Sequence, residues 1–190
     1  MTHTNSGALR ALIENLDRAV ALEDCAEVGE RIKSDLSESI LSRSLRLPDR
    51  FHQPRSECYA RRLLHRDPDL RYTAVVMTWD PGQGTPLHDH AGIWCVEAVV
   101  DGAMEVTQYD LLDDQGARCR FARQSHVRAE VGASGCLIPP FEYHVLQNAY
   151  RDRTSMTLHV YGGEMSRCCA FEPKDDGWYE RREKVLQYHD

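Results

Sequence analysis

The residues of this chain best suited to chemistry are His88-Asp89-His90, Cys95 five positions beyond, His144, and the run His159-Val160-Tyr161. Side chains alternate along extended backbone, so two histidines at i and i+2 on a strand project from one face. Joined by a third imidazole from elsewhere in the fold, they make half of an octahedral metal shell and leave the other half for substrate and oxygen. A catalytic metal needs such open positions, whereas a structural site is closed. His88, His90 and His144 are the expected ligands. Residue type alone does not choose the metal, because neutral imidazole suits iron, zinc, copper and nickel. The turn Pro81-Gly82-Gln83-Gly84-Thr85-Pro86 stands ahead of His88, and Pro139-Pro140 ahead of His144. His3, His52, His65, His126 and His189 lack such company and read as surface or core histidines.

The elements that must position these residues can be read from periodicity. Residues 8–47 read as helical: Leu9, Leu12, Ile13, Leu16 and Val20 recur at spacings of three and four, and a second helix runs from Cys25 through Ile32 towards Leu45. The character changes at Tyr59. Branched and aromatic residues at 72–79 predict a strand, and further strand signals lie at 93–100, 103–112, 118–122, 126–130, 136–139, 143–148 and 154–161. Many short strands separated by glycine-containing turns predict a mainly β, antiparallel sandwich or barrel. The expected organisation is one domain over 1–190: a helical N-terminal cap (1–57), a barrel (58–171) and a charged extension (172–190) on the barrel exterior.

Bulk properties narrow the function. The net charge is -7 and the basic clusters are interleaved with acids, which argues against a nucleic-acid surface. There is no long uncharged apolar run, and Met1–Gly7 lacks the basic-then-apolar pattern of an export signal. Seven scattered cysteines suit a reducing compartment, with Cys25, Cys58, Cys119 and Cys136 reading as small buried hydrophobes. The expectation is a cytoplasmic monomer acting on a small molecule, without a nucleic-acid or membrane partner.

The spacing Gly82…His88-x-His90 followed by Gly102, with Gly135…Pro140…His144-x3-Asn148, resembles the two motifs of the cupin superfamily. Many cupins place a glutamate ligand where this chain has Cys95, and that exchange resembles the cysteine dioxygenase branch. Thr157-Leu158-His159-Val160-Tyr161 is similar to that family's Ser-x-His-x-Tyr, with a hydroxyl kept at Thr157. Tyr59-Ala60-Arg61 is similar to its Tyr-x-Arg, and Cys168-Cys169-Ala170-Phe171 to its Cys-His-Ala-Phe. The resemblance spans roughly Tyr59 to Phe171. Two departures are Glu97, which shares the inward face with Cys95 on a regular strand, and Trp94, which replaces a smaller residue.

The resemblance implies a cupin-type, jelly-roll-like barrel, an Fe(II) cofactor on His88, His90 and His144, and dioxygen-dependent oxidation of a small thiol, with L-cysteine giving cysteine sulfinate as the expected reaction. It implies that Arg61 pairs with the substrate carboxylate, aided by Tyr59, that Tyr161 stands over the open metal positions, and that Cys95 and Tyr161 can join in a thioether. A Thr157–His159–Tyr161 relay, in which His159 fixes the phenol, follows from their shared face. Three neutral imidazoles keep the full metal charge for an anionic thiolate, so the missing carboxylate at Cys95 is chemically sensible. Other thiol acids, 3-mercaptopropionate or mercaptosuccinate, remain open because of Glu97 and Trp94. So do a different metal-dependent cupin with Glu97 as a ligand and a non-enzymatic metal-binding cupin.

Overall fold

The computed structural model describes residues 3–190; of the polar stretch Met1–Gly7, Met1 and Thr2 lie outside the described residues. Two helices come first, α1 (His3–Ala19) and α2 (Cys25–Leu41). Asp24 caps α2, its Oδ1 accepting the N–H groups of Ala26 and Glu27 at 2.8 and 3.0 Å, donors the first turn leaves free. The helix stops short of Leu45 because Arg43 takes a positive φ of 56°, a left-handed residue that ends a helix.

The strands follow as β1 (Ala60–Arg66), β2 (Thr73–Trp79), β3 (Leu87–His88), β4 (Cys95–Asp101), β5 (Ala103–Asp114) and β6 (Arg118–Glu130). The remainder are β7 (Ser134–Leu137), β8 (His144–Asn148), β9 (Ser155–Tyr161), β10 (Arg167–Pro173) and β11 (Tyr179–Val185). One antiparallel sheet runs β1-β2-β9-β4-β7. The other runs β10-β11-β6-β5-β8-β3 and closes on itself, because β3 pairs with both β8 and β10. This is the mainly β, cupin-type arrangement expected, with the helices packed on the outside of the first sheet.

Alternation divides β9 between two environments. Met156, Leu158 and Val160 face the helices, in one core with Leu16, Ile32, Leu36, Val76 and Val96. Thr157, His159 and Tyr161 face the barrel interior, where Val75, Met77, Cys95, Val99 and Leu146 form a second core. A strand buried on both sides has every reason to be apolar, so its polar inner row marks the site. Gly102 makes the tight turn from β4 to β5 at φ +76°, and a Cβ there would stand 2.3 Å from Ser155 Oγ. Asn148 then joins the two sheets: its Nδ2 donates to Trp79 O at 3.1 Å and its Oδ1 accepts from the Ser155 hydroxyl at 2.8 Å.

Several expectations are corrected. The two segments 118–122 and 126–130 are one strand, β6, which follows β5 through two register shifts. The stretch 172–190 is not an exterior extension: β11 is a member of the closed sheet, and residues 186–190 fold back onto β1. Cys25 and Cys58 are exposed rather than buried, since one opens α2 beside its cap and the other sits in the bend before β1. Among the described residues no helix is long and apolar enough to cross a membrane.

Candidate metal centre

The closed sheet brings two of the histidines face to face. The turn before His88 is tied to β8, with Thr85 N–H donating to Leu146 O at 2.8 Å and Asn148 N–H to Gln83 O at 2.9 Å. That attachment sets His88 directly across the ladder from His144, ring centroids 4.5 Å apart. His90 lies just beyond the end of β3 rather than on it. Asp89 between them is pinned to β10: its Oδ1 accepts Cys169 N–H at 2.8 Å and its N–H donates to Cys169 O at 3.1 Å. With Asp89 held on that side, both flanking imidazoles turn to the interior.

The ring nitrogens are sorted by their partners. His88 Nδ1 lies 3.1 Å from Pro86 O, and His144 Nδ1 lies 3.1 Å from Glu142 O. A carbonyl only accepts, so each Nδ1 carries the hydrogen and each Nε2 keeps its lone pair. Burial lowers the pKa of His88 to about 3, helped by nearby His144, and that of His144 to about 4. It holds His90 well below the usual imidazole range, again with His144 adding to the effect. One candidate ligand atom from each of the three rings falls within a group 4.8 Å across. His144 Nε2, which keeps its lone pair, is buried with no hydrogen-bond partner among the described residues. Converging neutral lone pairs without donors are unfavourable alone and fit a divalent metal ion.

A residue outside the sequence expectations supports two of the three rings. Glu142 is buried; its Oε2 accepts His90 N–H at 2.6 Å, and its carbonyl fixes His144 Nδ1. It stands at i-2 from His144 in an extended segment, so the alternation that exposed the His-x-His pair could also have exposed it. Glu142→Ala is expected to weaken metal affinity by about tenfold while leaving the fold intact, read by competition with a chromophoric chelator. Unchanged affinity would show that His90 needs no such support.

The inner row of β9 meets β4 residue by residue: Tyr161 pairs with Cys95, His159 with Glu97 and Thr157 with Val99. Cys95 and Tyr161 are both buried, and burial raises both pKa values well above the ordinary range, so thiol and phenol stay protonated. Trp79 Nε1–H donates to Thr157 Oγ1 at 2.9 Å, and that hydroxyl lies 2.8 Å from His159 Nε2. The other nitrogen, Nδ1, lies 3.6 Å from Glu97 Oε2. The expected relay is therefore present only as far as His159. The rings of His159 and Tyr161 lie nearly parallel with centroids 6.0 Å apart, and both imidazole nitrogens face elsewhere. Alternation places the three on one face, but the row runs along the strand and the imidazole edge turns across it, towards β4.

Glu97 shares the inward face with Cys95, as expected. Burial pushes its pKa up to about 8, and its Oε2 has no hydrogen-bond partner among the described residues. It stands 3.7 Å from His144 Nε2 but is not part of the three-histidine group. Trp94 O accepts Gly162 N–H at 2.9 Å, and a Cβ on Gly162 would strike the Trp94 indole at 2.3 Å. The tryptophan is thus fitted beneath the end of β9.

Arg61 reaches the same pocket from β1. Its side chain is 2 % exposed, its Nη2 donates to Met165 O at 2.8 Å, and its Nε and Nη1 have no partner among the described residues. Arg62 turns to the other face, donating to Gln53 O and Asp190 O at 2.6 and 3.1 Å. Tyr59 stacks on Trp79 at 4.4 Å between centroids and lines the pocket with Arg61 and the histidines. Residues 186–190 cover this end: Leu186 lines the pocket, the Tyr188 ring lies 4.6 Å from the Arg61 guanidinium carbon, and His189 Nδ1 accepts Arg61 N–H at 3.0 Å. Sequence distance hid this cover, because Arg61 and His189 are far apart along the chain and no local period joins them.

Residues 18–174 match the sequence family described as cysteine dioxygenase type I. Cysteine dioxygenase type 1 of Rattus norvegicus and that of Mus musculus are each 19% identical over 104 residues, covering 55% of this chain and 51% of theirs. The chain thus spans about half the length of the curated relatives it matches. Among solved structures, a Klebsiella pneumoniae protein with a double-stranded beta-helix domain is 16% identical with a TM-score of 0.47, over 70% of this chain and 93% of that one. A cupin 2 conserved barrel domain protein from Rhodopseudomonas palustris is 19% identical with a TM-score of 0.45, over 66% and 76%.

Proposed function

We propose, for a chain that belongs to the cysteine dioxygenase type I family, that it is an iron-dependent thiol dioxygenase whose substrate is a small thiol acid, L-cysteine first. The reaction adds both atoms of O2 to sulfur: a thiol RSH and one O2 give the sulfinic acid RSO2H. The observation that carries this reading is Arg61, a buried guanidinium with two unpartnered nitrogens on the pocket that the three histidines line. A buried cation left with free N–H groups is an anion site, and a carboxylate is the anion whose geometry a guanidinium matches.

Bound by His88, His90 and His144, iron(II) would supply the one-electron chemistry that lets triplet dioxygen react with a closed-shell thiolate. The chain does the rest. Its three imidazoles are neutral, so they bring no negative charge to compete with the thiolate. Arg61 holds the substrate carboxylate, and Tyr59 lines the same pocket. Tyr161, its phenol neutral, lines the pocket and pairs across the ladder with Cys95. Residues 186–190 limit water at the carboxylate end.

Tyr161→Phe is expected to lower kcat about tenfold with little change in KM, since it removes a donor used as charge develops on oxygen. Equal turnover in the two proteins would remove that role. Joining Cys95 Sγ to a ring carbon of Tyr161 takes away two hydrogens, with dioxygen as the oxidant. Tryptic peptides of enzyme that has turned over are expected to contain a linked pair lighter by two hydrogens.

The reading as a whole is tested by loading the protein anaerobically with Fe(II) and following O2 uptake with L-cysteine, 3-mercaptopropionate and mercaptosuccinate. Uptake with L-cysteine is expected. Uptake with another thiol alone keeps the reaction class and moves the substrate assignment away from L-cysteine. No uptake by iron-loaded protein contradicts the reading. One observation favours a second reading: the unpartnered Glu97 Oε2 close to His144 Nε2 suits a different metal-dependent cupin with Glu97 as a ligand. That reading requires Glu97→Gln to lose metal, whereas thiol dioxygenase chemistry on three histidines requires it to keep metal.

A further inference from the structure

A second cavity adjoins the metal pocket, sharing Leu146 with it but not Arg61. A cleft of about 270 Å³ opens between the β4–β7 edge of the first sheet and the β5–β6 ribbon of the second. Val99, Met104, Val106, Ala129, Leu137 and Leu146 make its walls mainly apolar, with Gln108, Ser125 and Ser134 also lining it. Val127, 52% exposed, stands at its mouth, and its floor is the buried pair Glu97 and Thr157. Leu146 lines both this cleft and the metal pocket, so one side chain forms part of the wall between them.

The two cavities differ in chemistry. The front carries Arg61, Lys184 and Tyr59, groups that attract and hold an anion. Among the described residues the cleft offers no free cation: Arg128 at its rim is engaged by Glu105 and Glu130, and the ionisable group at its floor is an acid. An anionic thiol acid gains nothing there. A small uncharged apolar molecule does, because apolar cavities of even about 150 Å³ take up gases such as xenon. We infer that the cleft is the passage by which dioxygen reaches the metal pocket, crossing beside Leu146, while the thiol acid enters past Arg61. The inference rests on the reading of the protein as a dioxygen-consuming enzyme.

Crystals of the whole chain pressurised with xenon are expected to show the gas in the cleft, beside Val99 and Leu146, whether or not the metal is present. Filling the cleft with Ala129→Phe is expected to remove that xenon and to raise KM for dioxygen about fivefold, leaving KM for the thiol unchanged. Val127→Trp, at the exposed mouth, gives the same comparison if the first variant does not fold. No xenon in the cleft of the unaltered protein overturns the inference. So does an unchanged KM for dioxygen in an active, filled variant. Failure of the unaltered, iron-loaded protein to consume O2 with any thiol overturns the functional reading, and this inference with it.

Discussion

His144→Ala is expected to leave the protein unable to retain iron through desalting and to lower kcat/KM for its thiol by about three orders of magnitude or more. The side chain is fully buried, sits across the ladder from His88, and presents an unpartnered Nε2 into the space the other two rings share. Its loss leaves two neutral nitrogens, too few to hold a divalent ion against water or to fix where substrate and dioxygen meet. His126→Ala is the control: that ring lies on β6, paired with Glu105 at 3.1 Å at the surface, and its removal is expected to change neither iron content nor rate. Iron retained at full occupancy by His144→Ala would move the metal away from this cluster.

The second large effect falls on Arg61. Arg61→Gln is expected to raise KM for a thiol carboxylic acid by about a hundredfold, because a charge-assisted pair in a buried site gives way to a neutral contact. The same variant is expected to treat cysteamine, which has no carboxylate, no worse than the unaltered protein does. That contrast separates loss of an anchor from loss of structure. Arg61 also donates to Met165 O and lies under Tyr188, so the variant will be less stable. Instability alone would penalise both thiols equally. Parallel losses with the acid and with cysteamine would show that Arg61 serves the fold and not the substrate.

The parts of this site legible in the sequence are those governed by local period. His88 and His90 were readable as a pair because alternation needs only two residues of extended chain. Thr157, His159 and Tyr161 stood out because they punctuate an otherwise apolar run at every second position. What escaped reading depends on pairing across the fold. Asp89 acts through Cys169, Glu142 through the backbone of His90, and the cover over Arg61 through His189. The relay shows the limit most sharply. Its members share a face as expected, yet the direction in which the His159 ring turns is set by the neighbours β4 supplies, and these offer Glu97 rather than Tyr161. The same limit applies to 172–190, whose charge reads as that of an exterior extension. The consecutive charges Glu180 to Lys184 lie on both faces of β11, Lys184 lining the metal pocket, and the strand's partners lie at Arg167–Pro173 and Arg118–Cys119.

The proposed reaction passes both oxygen atoms of O2 to one sulfur at the three-histidine centre. The most direct measurement is a single incubation of the Fe(II)-loaded protein with L-cysteine under 18O2 in ordinary water, followed by mass spectrometry of the product. Cysteine sulfinate four mass units heavier than the unlabelled compound is expected, formed at one molecule per O2 consumed. A product carrying one labelled atom or none, or cystine in place of the sulfinate, would contradict it.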